Sequence, residues 1–201
     1  NMSEWGYMRS TRGCSGWSSR GGQVRHPYVL DRNPCGSSSG SAVAVAANLC
    51  TAALGAEVDG SIVRPSSING IVGLKPTVGL LGRSGVIPVA SPQDTVGPMG
   101  RCVADVAALL SVMTGEDPRD PTTKESRGRA LDDYCKCLDR ESLSGARLGV
   151  ARDFFGFHEG TDAVIQSAIT TLESLGAEIV DPVECGTAKL FFPAELELFM
   201  Y

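Results

Sequence analysis

The sequence has 201 residues, of which 42% are hydrophobic and 20% charged, and its formal net charge at pH 7 is −5. The composition is ordinary for a globular protein, and the negative charge gives no electrostatic support to a nucleic-acid partner. No apolar run approaches the roughly 20 residues that a membrane-spanning helix needs. We therefore expect neither a nucleic acid nor a membrane as a partner, and the sequence leaves the oligomeric state open.

The cysteines indicate the compartment. There are seven of them at irregular spacing, and an odd, scattered set argues against a secreted disulfide framework. Cys135 and Cys137 are separated by one residue, but no second pair with a nearby histidine completes a zinc site. The pattern predicts free thiols in a reducing cytosol, and hence a cytoplasmic protein that holds no metal.

The first part of the chain changes character abruptly. Residues 1–36 are rich in Gly, Ser and Arg and show no sustained period, so they predict loops and short pieces. Small residues then predict a helix over 41–54, which Ser39 or Ser41 caps at its N-terminus and Gly55 ends.

Further along, residues 55–100 hold many Gly and Pro residues between short apolar pieces, a pattern typical of short strands and tight loops. Apolar residues at spacings of three and four predict a helix over 101–114, followed by Gly115. The polar segment 116–129 contains two prolines and predicts an exposed connector.

The last part of the chain predicts a β-α-β unit. Strands are expected over 146–151 and 177–183, and between them lies a helix that Thr161 caps and Gly176 ends. Short links of this kind normally give parallel pairing of the two strands. The fold class predicted is therefore α/β, with a Ser/Gly-rich middle.

The stretch "NPCGSSSGSAVAVAANL" at 33–49 has three candidate roles: a linker, an anion cradle or a nucleophile site. A linker is disfavoured because an apolar helix follows directly. A phosphate cradle lacks the Lys-Ser/Thr ending and the G-x-G-x-x-G pattern. A nucleophile site finds a candidate in Ser61, which follows Gly60, but the G-x-S-x-G elbow is absent. His26 and His158 stand in no context that marks a triad base, so the residues alone leave the role open.

The order of several segments adds a resemblance. "GSSSGS" at 36–41, "DGSIVRPSSINGIVGLKPT" at 59–77 and "QDTVGPMGRCVADVAALL" at 93–110 together resemble the amidase signature family, as does "NMSEW" at the start. The resemblance implies an α/β fold with a mixed sheet flanked by helices. It also implies one domain segment over 1–201 that is incomplete at both ends. Its signature core would lie at about 33–115 and its β-α-β portion at about 146–183.

The resemblance implies a hydrolase of carboxylic amides that needs no metal or organic cofactor and takes a small amide or ester as substrate. Ser61 would be the nucleophile that forms the acyl-enzyme. Ser37, preceded by a cis peptide bond from Gly36, would relay its proton to a lysine, with Ser38 supporting the network by hydrogen bonds. The oxyanion would be held by the backbone N–H groups of Val58, Asp59, Gly60 and Ser61.

The sequence departs from the family pattern in places. The family's catalytic lysine lies upstream of the "NMSEW" segment, and no residue here matches it; Lys75 is expected to be a surface or loop-fixing charge. Arg64 stands where many relatives have a small residue or a cysteine, and it either favours a substrate carboxylate or points outward. Asp94 and Arg101 are expected to fix a loop by pairing. Two alternatives remain: a non-catalytic segment without a base, or an amidotransferase component that supplies ammonia.

Overall fold

The structure is a computed structural model that describes residues 15–186. The described chain divides into two compact units, the first ending at Cys137 and the second beginning at Leu138. The "NMSEW" segment and the last residues of the chain lie outside the described range, and the single domain over 1–201 stays a prediction. The strands and helices are β1 (Trp17–Ser18), β2 (Gly22–Gln23), α1 (Ser39–Ala46), β3 (Ala52–Glu57), α2 (Val63–Ile68), β4 (Val72–Gly73), β5 (Thr95–Gly100), α3 (Val103–Met113), β6 (Arg147–Gly149), α4 (Glu159–Ser174) and β7 (Glu178–Val180).

The first unit is built on an antiparallel sheet of three strands in the order β3-β5-β4. The central strand β5 is buried along its whole length, and it pairs with β3 from Ala52 opposite Gly100 to Glu57 opposite Thr95. Ala42 of α1, Ile62 before α2 and Met99 of β5 form a fully buried cluster. The helices α1 and α2, which follow Ser37 and Ser61, therefore pack on the same sheet. The sequence predicts short strands and loops over 55–100, and β4 and β5 lie in this range.

Helix α1 is shorter than the sequence predicts. It begins at Ser39 and ends at Ala46, and the chain turns at Asn48, which has a φ of 60°. The N–H of Leu49 donates to the carbonyl of Ala44 at 2.8 Å, and the N–H of Asn48 donates to Val45 at 3.1 Å. This left-handed termination satisfies the last carbonyls of the helix. The predicted helix over 41–54 is therefore wrong beyond residue 47, where β3 follows instead.

Gly55 does not end a helix but lies in the middle of β3. A Cβ at this position would come within 2.9 Å of both Ile62 Cγ1 and Ser38 Oγ. The missing side chain lets α1 and the loop before α2 approach the sheet closely. This glycine is thus required by packing rather than by helix termination.

Helix α3 confirms the predicted helix of 101–114. Asp105 accepts the N–H groups of Arg101 and Cys102, each at 3.1 Å, and so closes the first turn. Val106 and Leu110 are buried on the face that the apolar spacing predicts.

The segment 116–129 is largely exposed, as its polarity predicts, but it is folded locally and held to the first unit at two buried residues. Residues 121–126 form a 3-10 helix, and Asp120 and Thr123 are buried. The Asp120 carboxylate bonds the Arg83 guanidinium at 2.8 Å and 3.1 Å, and these side chains are only 7% and 16% exposed. The segment is folded because its charges and hydroxyls have partners within the unit.

The second unit is the predicted β-α-β arrangement. β6 pairs with β7 in parallel, and α4 connects them. The N-cap of α4 is His158 rather than Thr161, because the His158 Nδ1 accepts the Thr161 N–H at 3.1 Å. Gly176, with a φ of 94°, follows the helix as predicted. The apolar face of α4 is largely accessible, with Val164 71% exposed.

Two sequence predictions concern the cysteines, which are expected to be free thiols, and the helices, which are expected not to span a membrane. The cysteines within residues 15–186 are free thiols. Among the helices of the same range, none combines the length and the apolar character that a membrane crossing requires.

We expect Asp120→Asn to lower the free energy of unfolding by about 3 kcal/mol at neutral pH, because it leaves the Arg83 guanidinium without its charged partner. The guanidinium holds the pKa of the Asp120 carboxyl well below its usual range. The contribution is therefore complete above the ordinary aspartate pKa of about 3.9 and is lost as the pH falls below it. Urea titrations of both proteins at neutral pH and at about pH 3 measure the difference, which should shrink at the lower pH.

A matched control is Arg127→Met, which breaks the exposed pair with Glu116 and should leave the urea midpoint nearly unchanged. Equal stability of Asp120→Asn and the parent protein at neutral pH would contradict the prediction.

Candidate active site

The peptide bond between Gly36 and Ser37 is cis, which confirms the sequence prediction for this bond. Just before it, Cys35 has a φ of 62°, and its N–H donates to the Asn33 side chain at 2.7 Å. The segment therefore turns sharply before α1 begins, and Ser37 lies half-buried at this turn.

The serines after Ser37 connect α1 to neighbouring backbone rather than capping it. The Ser38 hydroxyl accepts the Ala56 N–H at 3.1 Å and donates to the Ala56 carbonyl at 3.2 Å. The Ser41 hydroxyl donates to Leu54 at 2.7 Å, and Ser39 donates to the Cys35 carbonyl. Ser39 or Ser41 as the side-chain N-cap is therefore wrong; the N-cap position belongs to Ser38, whose hydroxyl bonds β3 instead.

Two contacts bring the Ser37 segment and the Ser61 segment together. The Ser38 N–H donates to the Ser61 carbonyl at 3.1 Å. The side-chain amide of Asn69, which is 1% exposed, donates to the Pro34 carbonyl at 2.8 Å and to the Pro65 carbonyl at 2.7 Å. Each segment is thus held at two points by buried hydrogen bonds.

The loop 58–61 follows β3 directly and contains the residues that the resemblance implies for oxyanion binding. Gly60 is buried with a φ of 73°, a conformation that favours glycine. Within residues 15–186, the backbone N–H groups of Asp59, Gly60 and Ser61 have no hydrogen-bond acceptor. Neighbouring N–H donors that no protein group uses can bind the oxygen of a ligand. Val58 lies half-buried at the start of the loop.

Glu57 is a site residue that the sequence reasoning missed. The residue is only 5% exposed, and its carboxylate accepts the N–H of Ile62 at 2.6 Å and that of Val63 at 3.0 Å. It therefore fixes the chain directly after Ser61 and joins the two ends of the loop 58–61. The sequence signal for this role was that Glu57 is an acidic residue shortly before the first turn of α2, where a negative charge is stabilising.

Arg64 lies on the first turn of α2 and turns back over the loop. Its guanidinium forms an ion pair with the Asp59 carboxylate and also donates to the Asp59 carbonyl at 2.5 Å. Both side chains are about half exposed. The predicted outward orientation is therefore wrong, because the side chain lies against its own loop, whereas binding of a substrate carboxylate stays a prediction.

Other candidates have local roles. Lys75 is exposed, and its ammonium donates to the Pro76 carbonyl at 3.0 Å, in agreement with a loop-fixing charge. His26 is buried, and its Nε2 forms a hydrogen bond of 2.9 Å with the Ile68 carbonyl. These contacts give neither residue a link to Ser61.

The predicted pairing of Asp94 with Arg101 is wrong. The Asp94 carboxylate accepts the Val89 N–H at 3.1 Å, whereas the Arg101 guanidinium donates to the Ala46 carbonyl at 3.1 Å and to the Asn48 side chain at 3.0 Å. Asp94 fixes its loop by accepting backbone N–H groups, and Arg101 fixes the end of α1 through a backbone carbonyl and a side-chain amide.

A family model described as Amidase matches residues 1–198. The chain belongs to this amidase family. The structure is similar to that of the native peptide amidase from Stenotrophomonas maltophilia, with a TM-score of 0.91 and 49% identity over 100% of this chain and 41% of that chain. This likeness confirms the predicted α/β class with the amidase signature fold.

The curated relatives include both amidases and amidotransferase components. A probable amidase of Arabidopsis thaliana is 42% identical over 182 residues, which are 90% of this chain and 34% of the relative. A glutamyl-tRNA(Gln) amidotransferase component of Symbiobacterium thermophilum is 48% identical over 169 residues, which are 83% of this chain and 34% of the relative. The chain thus spans about a third of the length of these amidase-family members.

We expect Glu57→Ala to lower the free energy of unfolding by about 3 kcal/mol, because the buried N–H groups of Ile62 and Val63 would lose a charged acceptor. Glu57→Gln keeps one acceptor oxygen at the same length and should lose less. Chemical denaturation of the three proteins measures the order. Equal stability of all three would show that this carboxylate does not hold the loop.

Proposed function

We propose that the protein hydrolyses carboxylic amide bonds through an acyl-enzyme formed on Ser61. The observation that carries the proposal is the row of unused backbone N–H groups of Asp59, Gly60 and Ser61 on a loop of defined shape. In acyl transfer the carbonyl oxygen of the substrate gains negative charge, and donors already aimed at it lower the barrier without reorganisation. Membership of the amidase family supports the same reaction.

The proposed proton path runs from Ser61 through Ser37 to a lysine. A serine hydroxyl is a weak nucleophile until a base takes its proton. The Ser38–Ser61 backbone bond and the Asn69 amide support this path, because they hold the Ser37 turn beside the Ser61 loop. In this proposal Ser38 supports the relay by bonding Ala56. The lysine is the family's base, which corresponds to none of the residues of this chain.

The reaction proceeds in two steps. The Ser61 oxygen bonds the carbonyl carbon of the amide, its proton passes along the relay to the leaving amine, and the C–N bond breaks to give the acyl-enzyme and an amine. Water then adds to the ester, and Ser61 is released with the carboxylic acid. Esters follow the same path with a better leaving group, so esterase activity is part of the proposal. Side chains and backbone carry every step, and no cofactor takes part.

The likeness to a peptide amidase makes a small peptide amide the first substrate to test. The free thiols of the described cysteines support a location in the reducing cytoplasm. The proposed partner is a small-molecule amide or ester.

A component of an amidotransferase is the second candidate, because the Symbiobacterium relative is as similar in sequence as the amidases. Structural likeness favours the stand-alone amidase. The peptide amidase has a TM-score of 0.91, whereas the glutamyl-tRNA(Gln) amidotransferase component from Thermotoga maritima has 0.79 with 33% identity. Amide hydrolysis by the purified protein without other protein chains supports the first candidate, and dependence on other chains supports the second.

In the natural protein that contains these residues, Ser61→Ala should abolish labelling by a fluorophosphonate probe, which reacts with activated serine hydroxyls. Ser37→Ala should slow acylation by about 10²- to 10⁴-fold, the range of general-base catalysis, with some rate kept if water bridges the gap. Ser67→Ala, on the exposed side of α2, is the matched control and should label normally. Labelling that survives Ser61→Ala would refute the nucleophile.

The 201-residue chain alone should have little or no amidase activity, because the base that the mechanism needs matches no residue in it. Enzymes that lose one member of a catalytic triad keep about 10³- to 10⁴-fold over water from the oxyanion site and binding, so an activated aryl ester should still react slowly. The measurement compares this chain with one extended upstream through the lysine segment. Equal amide turnover by both would show that the proposed relay is wrong or that a lysine of this chain is the base.

A further inference from the structure

Arg64 binds the carbonyl groups of Asp59 and Gly60, the two residues that precede Ser61. Its backbone N–H donates to the Gly60 carbonyl at 2.9 Å, and its guanidinium donates to the Asp59 carbonyl at 2.5 Å. The carbonyl groups of these two peptide units therefore face the first turn of α2, and one residue holds both.

The opposite edge of the same two peptide units carries the N–H groups of Gly60 and Ser61. Both units are trans, and in a planar trans peptide the C=O and N–H bonds point in opposite directions. Fixing the two carbonyls toward α2 therefore turns the two N–H groups away from it. These are the donors that have no acceptor within residues 15–186.

We propose that Arg64 is a positioning residue whose guanidinium fixes the Asp59–Gly60 peptide so that the Gly60 N–H faces the oxyanion. The inference rests on the proposed function, because it assigns the N–H groups to the acyl oxygen. Any residue other than proline supplies the backbone bond to Gly60, but the bond to Asp59 needs a long cationic side chain. Arg64 thus acts on the transition state through the backbone, without touching the substrate.

The alternative role for this arginine is to bind a carboxylate of the substrate. Two observations favour positioning. The Asp59 carboxylate already pairs with the guanidinium, so a substrate carboxylate would have to displace it. The arginine Nε also lies directly against the loop, because a Cβ added to Gly60 would overlap it. The side chain is therefore held over the peptide that it orients.

The test uses the natural protein that contains these residues, with a small peptide amide as substrate. Arg64→Met keeps the length of the side chain but removes its donors, and we expect kcat to fall about 10- to 100-fold, less than the loss of a whole oxyanion donor, with KM nearly unchanged. Arg64→Lys keeps a donor and should recover part of kcat. Arg127→Met removes an exposed, ion-paired arginine far along the chain and should leave kcat unchanged.

A second readout separates positioning from general structural damage. The Ser61 oxygen adds to the carbonyl carbon of a peptide aldehyde. The aldehyde oxygen of this adduct then occupies the oxyanion position. Its inhibition constant should weaken in Arg64→Met by the same factor as kcat/KM, because both depend on the tetrahedral species. Thermal unfolding should shift little, since the ion pair is half exposed.

The possible outcomes separate the two proposals. Unchanged kcat in Arg64→Met, with Ser61 still labelled by the fluorophosphonate, would overturn this inference alone. An increase in KM limited to substrates that carry a carboxylate would also overturn it, because the arginine would then bind the substrate. If the unsubstituted protein neither labels at Ser61 nor hydrolyses amides, the proposed function fails and the inference fails with it.

Discussion

The rest of the site depends on the two hydrogen bonds that the Glu57 carboxylate accepts. Glu57 is buried at the end of β3, and its carboxylate takes up the N–H groups of Ile62 and Val63, which a short helix would otherwise leave without acceptors. The four residues between must therefore turn within a fixed span. Because the carboxylate satisfies only the donors after Ser61, the donors of Asp59 to Ser61 remain unused on the loop.

The loop divides its backbone groups between two sides. Its carbonyls bind Arg64 and the Ser38 N–H, while the N–H groups of Asp59 to Ser61 bind nothing within the described part of the chain. The close approach of these segments depends on Gly55, because any side chain there would meet Ile62 and Ser38. The sheet thus acts as a rigid base on which two serine segments meet, and such a base suits groups that must be held within fractions of an ångström.

The accuracy of the sequence predictions follows the range of the interactions. α3 and the β-α-β unit were predictable because apolar periodicity is local. The cis bond at Gly36 was predictable only through the family resemblance. The end of α1 was missed because Asn48 adopts the left-handed conformation that glycine usually provides. The roles of Glu57 and Asp120 were missed because the identity of a polar residue does not reveal where its hydrogen-bond partner lies. The partner of Glu57 is five residues away, and that of Asp120 is 37 residues away.

The Asn69 amide has a consequence for how the site opens. Its two hydrogen bonds join the backbone before Ser37 to the backbone after Ser61, and both lie in the fully buried interior. Separating the two segments would break the bond from Asn69 to Pro34 and leave the Pro34 carbonyl without its donor, which costs more than a typical hydrogen bond gains. The hydrogen-bonded amides of the two segments, such as those of Ser38 and Ile62, should therefore exchange in a single cooperative step, as one foldon rather than two independent loops.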